Sequence, residues 1–172
     1  EVRREWREGL VPVSFEVSES SDRLVVTHGC PWFLSVCRAG LEVSVPEDTD
    51  VVVRTSDGHI EVAGIAGDLV ASTGSGPVLV ERVGGDVDAR TSSGRVEAIA
   101  VDGDALLRTG SGSIAAEQIG GSLEARTSSG RIDVRDVGGE ALTHTGSGHI
   151  VVASVLSHVD AYTSSGRVTV HG

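Results

Sequence analysis

The chain has 172 residues, of which 39% are hydrophobic and 3% aromatic, and its formal net charge at pH 7 is −11. This length suits a single domain with its own core, and the 23 glycines follow no Gly-X-Y period, which excludes a collagen-like chain. The negative charge disfavours nucleic acid as a partner, because the phosphate backbone repels an acidic surface.

Residues 1–50 are predicted to form strands and a cap. The stretches PVSFEV, RLVVTH and LEVSVP have the alternation and β-branched residues of strands, whereas the charged EVRREWREG is predicted to be an arm or a short helix. A stack of repeats needs a cap, because its open end exposes core residues and an unpaired strand edge.

The two cysteines, Cys30 and Cys37, lie in the segment CPWFLSVC. Their spacing does not match a zinc-binding pair, and the chain has no second pair of cysteines. We expect a local disulfide, which implies an oxidising compartment. A redox or metal-binding pair and two buried free thiols are the alternatives.

From residue 51 onward the sequence repeats every 18 residues without an insertion. Each unit contains a tetrad such as TSSG at Thr91–Gly94 or TGSG at Thr109–Gly112, and a second column of glycines keeps the same period. A fixed period of this length is typical of a solenoid. The tetrads begin at Thr55, Thr73, Thr91, Thr109, Thr127, Thr145 and Thr163.

Apolar residues follow the same period and alternate within each unit, as Val87 and Ala89 do. A period of two with β-branched residues indicates strands, and stacked units would place like side chains about 4.8 Å apart. We expect Thr91 and Ser93 to form polar ladders of hydroxyl groups at the bend. The sequence predicts an all-β, right-handed parallel β-helix or solenoid of about seven 18-residue coils at residues 51–172, with a β cap at residues 1–50, in one structural domain.

An alternation between successive units leaves a second architecture open. TSSG tetrads alternate with TGSG tetrads, and the outward-facing Asp88 and Glu124 are separated by Leu106. In an 18-residue coil this alternation separates like charges that would otherwise stack and destabilise the sheet. It also fits a 36-residue unit of four strands, in which Thr91 would lie beside the threonines 36 residues away rather than 18.

The run LEVSVPEDTDVVVRTSDGHIEVAGIAGDL, followed by STGSG and TSSGRV units, resembles a bacterial adhesin-type domain family of cell-envelope β-solenoids. The resemblance extends over residues 41–172. The cysteine pair before the Val-Pro phrase is similar to versions from high-GC Gram-positive bacteria. The resemblance implies a β-solenoid that is extracytoplasmic, in the bacterial cell envelope or secreted, and it supplies no catalytic residues.

One outward column of basic residues is a candidate binding surface. Aligned guanidinium groups suit anionic polymers such as acidic glycans or teichoic acid, because they bind carboxylate and phosphate groups. Neutralisation of neighbouring acids such as Asp88 and Glu124 is the alternative role. This arginine stripe consists of Arg54, Arg90, Arg108 and Arg126, and it is continued by His144 and Tyr162.

No sequence pattern points to catalysis or to a cofactor. The chain has no lysine, so its glycine-rich tetrads are not a phosphate-binding loop, and Ser157, His158 and Asp160 are not part of a nucleophile elbow. We expect no catalytic residues, no cofactor and no metal. A calcium-binding edge is the alternative to solvated turns for the acidic column of Asp50, Asp68, Asp86, Asp104 and Glu140.

These observations predict a non-enzymatic cell-envelope scaffold, adhesin-like or ligand-presenting, whose partner is a cell-wall polymer or an envelope protein. No apolar run reaches the roughly 20 residues that a membrane-spanning helix needs, so membrane attachment is expected only through a segment missing from this chain. The alternatives are a self-assembling, bactofilin-like solenoid that associates through its C-terminal coil, an envelope-stress regulatory module and, as the weakest, a glycan-active β-helix enzyme.

The disulfide prediction can be checked directly on the native protein. If Cys30 and Cys37 are joined, alkylation without prior reduction should label neither, and mass spectrometry should find both only after a reductant is added. Two labelled cysteines in the unreduced protein would contradict the disulfide and remove its support for an extracytoplasmic location.

Overall fold

The computed structural model describes residues 49–172 in full and, before them, the backbone of four strands. The predicted Cys30–Cys37 disulfide lies outside the described residues. The strands are β1 (Val2–Arg3), β2 (Ser14–Ser20), β3 (Arg23–Gly29), β4 (Glu42–Val43), β5 (Asp50–Asp57), β6 (Ile60–Ile65), β7 (Leu69–Ser75), β8 (Val78–Val83), β9 (Val87–Ser93), β10 (Val96–Val101), β11 (Ala105–Ser111), β12 (Ile114–Ile119), β13 (Leu123–Ser129), β14 (Ile132–Val137), β15 (Ala141–Ser147), β16 (Ile150–Val155), β17 (Val159–Ser165) and β18 (Val168–His171).

Each coil contributes one strand to each of two sheets. The odd-numbered strands from β5 to β17 belong to a nine-stranded sheet that also contains β3 and β2, and the even-numbered strands from β6 to β18 form a seven-stranded sheet. Thr91 pairs in parallel with Thr73 on one side and Thr109 on the other. The 18-residue coil is therefore confirmed, and the 36-residue unit is wrong.

The N-terminal strands extend the nine-stranded sheet beyond the first coil. Strand β3 pairs in parallel with β5, and β2 pairs with β3 in the antiparallel direction, so the hairpin covers the edge of β5. Val2–Arg3, within the segment predicted as an arm or a short helix, instead pairs as a strand with Glu42–Val43. Across the part of the chain that the structure describes, no helix is long and apolar enough to cross a bilayer.

The core lies between the two sheets and consists of columns of like side chains. Ile132 pairs in register with Ile114 and with Ile150, and all three are fully buried. Burying each such side chain contributes roughly 1.5–3 kcal/mol. A coil shares its columns with both neighbours, so the apolar face of one coil is covered only when the coils stack.

From Thr73 onward, the threonine of each tetrad donates a hydrogen bond to the preceding coil. The Thr91 hydroxyl donates a hydrogen bond to the carbonyl oxygen of Gly76 at 3.1 Å, and Thr109 donates to Gly94 at 2.9 Å. Thr91 is buried, whereas Ser93 is exposed. The threonines and serines do stack in register as predicted, but the threonine hydroxyls donate to glycine carbonyls, which the close stacking brings within reach, rather than to one another.

Close backbone approach explains both the invariant glycine of the tetrads and their alternation. A Cβ atom at Gly94 would overlap the carbonyl oxygen of Gly76, so this corner admits only glycine. At the second tetrad position, a Cβ atom at Gly110 would lie 2.6 Å from the carbonyl oxygen of Ser92. Because two serines at this position would collide in neighbouring coils, coils with serine there alternate with coils that have glycine. The 36-residue period in the sequence therefore reflects packing between 18-residue coils.

A second bend in each coil places a residue in the left-handed region. Ala100 has φ of 57°, and its neighbours Ile99 and Val101 pair with the strands on both sides. A residue with a Cβ atom in this region costs on the order of 1–3 kcal/mol, so the surrounding ladder imposes the conformation. The equivalent residues in the other coils are Gly64, Arg82, Gln118, Asp136 and Ser154.

Substitutions at the adjacent positions 131 and 132 should differ sharply in their cost. Ile132→Asp would place an unpaired charge between two buried isoleucines and should lower the free energy of unfolding by several kcal/mol. Arg131→Ala removes only an ion pair with Asp133 at 2.6 Å on the outer face, which is expected to cost at most about 1 kcal/mol. Thermal unfolding followed by circular dichroism measures both, and equal losses would contradict the assignment of the inner and outer faces.

Candidate functional site

The central part of the arginine stripe forms a continuous row on the outer face of the nine-stranded sheet. Arg90, Arg108 and Arg126 are direct partners in neighbouring coils. The row continues through His144 and Tyr162 in the next two coils. Five consecutive coils therefore each present one polar or aromatic side chain along a single line.

Arg54 stands apart from the other three arginines. Ser72 occupies the coil between Arg54 and Arg90, so the stripe is interrupted there. Within residues 49–172 Arg54 forms no ion pair. The continuous candidate surface thus begins at Arg90.

Arg90 is held by one carboxylate of its own. Its Nε donates to Oδ1 of Asp88 at 2.7 Å, and its Nη2 donates to Oδ2 at 2.6 Å. These two hydrogen bonds, together with the charge of Asp88, raise the pKa of Arg90 above its ordinary value. Arg90 and Asp88 thus form a bidentate ion pair, the geometry that favours an arginine–carboxylate interaction, and their charges balance.

Arg108 and Arg126 share a single carboxylate. Nη2 of Arg108 lies 2.8 Å from Oε1 of Glu124, and Nε of Arg126 lies 3.0 Å from the same oxygen. Nε of Arg108 is buried and has no hydrogen-bond partner among the described residues. Neutralisation of neighbouring acids, the alternative role predicted for the arginine stripe, therefore accounts fully for Arg90 and Asp88. At Glu124 it leaves two arginines paired with one negative charge.

An open groove of about 390 Å³ runs beside this shared pair. At its C-terminal end the His144 ring stacks on Tyr162, with ring centroids 5.0 Å apart and planes inclined by 19°. The 18-residue period predicts the order of these side chains, but the groove and the shared Glu124 depend on side-chain conformations that the period does not determine. The groove is lined by Arg108, Thr109, Arg126, Thr127, Ser128, His144 and Gly146.

The acidic column at the opposite corner forms a ladder of side-chain to backbone hydrogen bonds. Asp68 Oδ1 accepts a hydrogen bond from the backbone N–H of Asp86 at 2.9 Å, and Asp86 Oδ1 accepts one from Asp104 at 2.8 Å. A Cβ atom at Gly85 would overlap the Asp68 carboxylate, which explains why glycine precedes Asp86. Sequence reasoning missed this role, although the paired Gly-Asp columns were its signal.

The other predicted chemical groups are placed separately. Ser157, His158 and Asp160 are exposed, and no hydrogen bond joins them in the described structure. Within residues 49–172 there is also no group of three or more His, Cys, Asp or Glu side chains that could hold a metal ion. The aspartates of the acidic column serve instead as acceptors for the backbone of the next coil.

The last coil carries apolar residues that are exposed in this structure. Val168 is 39% exposed and Val170 is 52% exposed, whereas their partners Ile150 and Val152 are fully buried. Self-association through the C-terminal coil stays a prediction, and these two valines would form the contact.

Stacked parallel coils that present ordered rows of side chains on two outer faces define a β-solenoid scaffold. A family model described as Toastrack DUF4097 matches residues 13–172, and the chain belongs to this family. The resemblance to a family of β-solenoids is thus confirmed at the level of the fold. No significant match was found to a curated protein or to a solved structure.

Two substitutions of Asp86 separate its hydrogen bond from its charge. Asp86→Asn keeps an oxygen for the Asp104 N–H and removes the repulsion between stacked carboxylates, so it should melt at or above the wild-type temperature at low salt. Asp86→Ala removes the acceptor and should be less stable than Asp86→Asn by about 1 kcal/mol. Thermal melts at two salt concentrations test this, and equal stability of the two variants would show that the hydrogen bond contributes nothing.

Proposed function

We propose that the protein is a non-enzymatic, ligand-presenting β-solenoid of the bacterial cell envelope that binds an anionic cell-wall polymer. The main support is an unbroken row of side chains on one outer face, formed by Arg90, Arg108, Arg126, His144 and Tyr162. Because neighbouring strands are about 4.8 Å apart, a polymer that lies along the solenoid axis would meet one of these side chains in each coil.

The non-enzymatic role is supported by how the carboxylates beside the arginine stripe and in the acidic column are used. Asp88 and Glu124 form ion pairs with the arginine stripe. Asp68 and Asp86 accept backbone hydrogen bonds from the next coil. A general acid or base must be able to exchange a proton with a substrate, and these four groups are engaged in holding the scaffold together.

The envelope location and the partner class are further parts of the proposal. They are supported by the resemblance to envelope β-solenoids and by the disulfide expected between Cys30 and Cys37. An envelope protein with an acidic surface would satisfy the same row of arginines.

Binding of defined polymers to the purified protein tests the proposal. Polyglycerol phosphate and polygalacturonate should bind, and neutral dextran should not, because the attraction depends on charge. The triple variant Arg90→Gln, Arg108→Gln, Arg126→Gln should lose at least about tenfold in affinity, equivalent to about 1.4 kcal/mol. Added salt should weaken the wild-type complex by screening.

A matched control changes the same number of charges on the other sheet. Arg135 lies on β14, and Arg95 and Arg131 lie in the turns just before β10 and β14, on the same outer surface. Arg95→Gln, Arg131→Gln and Arg135→Gln together change the net charge by the same amount. This triple variant should bind the polymers within about twofold of wild type. Equal losses in the two variants would mean that only net charge matters, and an absence of binding to both anionic polymers would overturn the proposal.

A further inference from the structure

We infer that the groove beside Arg108, Arg126 and His144 binds a single oxyanion, a carboxylate or a phosphodiester, and is the point at which an anionic polymer is recognised. The inference rests on the proposed function for its choice of ligand, since it places one repeat unit of that polymer. It adds a defined subsite, because the neighbouring Arg90 has a carboxylate of its own and the two arginines of this groove do not.

The charge balance of the groove is the first observation. Arg108 and Arg126 together carry two positive charges, and both contact the same Oε1 atom of Glu124. Arg90, in contrast, has the whole Asp88 carboxylate to itself. Among the ion pairs of residues 49–172, only this one has two arginines on one acid, so an uncompensated positive charge remains beside the groove.

The unused donor of Arg108 is the second observation. Its Nε is buried and lacks a hydrogen-bond partner among the described residues, and a buried donor without a partner is unfavourable. A ligand oxyanion that draws the guanidinium group into the groove would let Nε and a terminal nitrogen donate together, which is the arrangement that arginine adopts with carboxylates and phosphates. The Arg108 side chain must turn for this, because Nε is shielded in the present structure.

The remaining walls of the groove suit the same ligand. Arg108 and Arg126 lie in adjacent paired strands, which are about 4.8 Å apart, so their guanidinium groups can reach different oxygens of one anion. Ser128 contributes an exposed hydroxyl, and His144, fixed by its stack on Tyr162, contributes a ring N–H in either tautomer. The volume of about 390 Å³ accommodates a sugar acid or a sugar phosphate diester.

Small probes that carry one charge test the subsite without a polymer. Dimethyl phosphate and galacturonic acid should each shift the Arg108 Nε–Hε resonance in a 15N-labelled sample, and the tighter probe identifies the preferred chemistry. Arg108→Gln and Arg126→Gln should each weaken the tighter probe by at least about tenfold. Arg131→Gln, a control outside the arginine stripe whose charge is balanced by Asp133, should change the affinity by less than about twofold.

Removing the shared acid should act in the opposite direction. Glu124→Gln leaves both guanidinium groups unbalanced and should tighten binding of the probe by about threefold, which is the size of an exposed ion pair. Circular dichroism melts identify any variant that has unfolded. If Arg108→Gln or Arg126→Gln unfolds, Arg108→Lys or Arg126→Lys replaces it. Weaker binding in Glu124→Gln, or equal losses in Arg131→Gln and Arg108→Gln, would overturn the inference.

The two proposals fail in distinguishable ways. If the polymers bind through the arginine stripe but neither small probe shifts Arg108, the subsite is wrong and the proposed function stands. If a probe binds at Arg108 and Arg126 but neither polymer binds, the subsite stands and the polymer-binding function is wrong.

Discussion

Backbone hydrogen bonds between each coil and the coil that follows constrain the whole molecule. Val96 donates its backbone N–H to the carbonyl oxygen of Ser113, and Ile114 donates to Arg131, so each coil sits directly on the next. The register forces every side chain to lie about 4.8 Å from its equivalent in two other coils. A residue type is therefore acceptable only if it tolerates its own kind as a neighbour.

Isoleucine and threonine meet this condition easily, whereas stacked charged residues repel one another unless a hydrogen bond or an intervening coil offsets the repulsion. The aspartates at one corner give each carboxylate a backbone N–H to bind. In the outer column that contains Asp88 and Glu124, acids occur only in alternate coils, and Leu106 lies between these two. The arginine stripe has no such gap from Arg90 to Arg126. Over these coils the arginines occur in every coil and the acids beside them in every second coil, so there are more arginines than acids. This mismatch creates the unbalanced charge at Glu124.

The sequence predicts the features that repeat and not the features that depend on side-chain conformation. The period alone placed Thr91 against Thr73 and Thr109, and it placed Ile132 in the core. It did not indicate the left-handed bend at Ala100, because an alanine there gives no local signal and the conformation is imposed by neighbouring strands. Likewise, whether Glu124 pairs with one arginine or two depends on rotamers, which spacing does not determine.

The alternation of serine and glycine in the tetrads limits how such a chain can change its length. A coil copied singly beside its parent would place serine next to serine, or glycine next to glycine, and in the first case a Cβ atom would meet a carbonyl oxygen as it would at Gly110 or Gly146. A copied pair of coils preserves both the close approach and the spacing of the outer acids. Gene duplication and unequal recombination are therefore expected to lengthen or shorten this solenoid by 36 residues at a time, although its structural coil has 18.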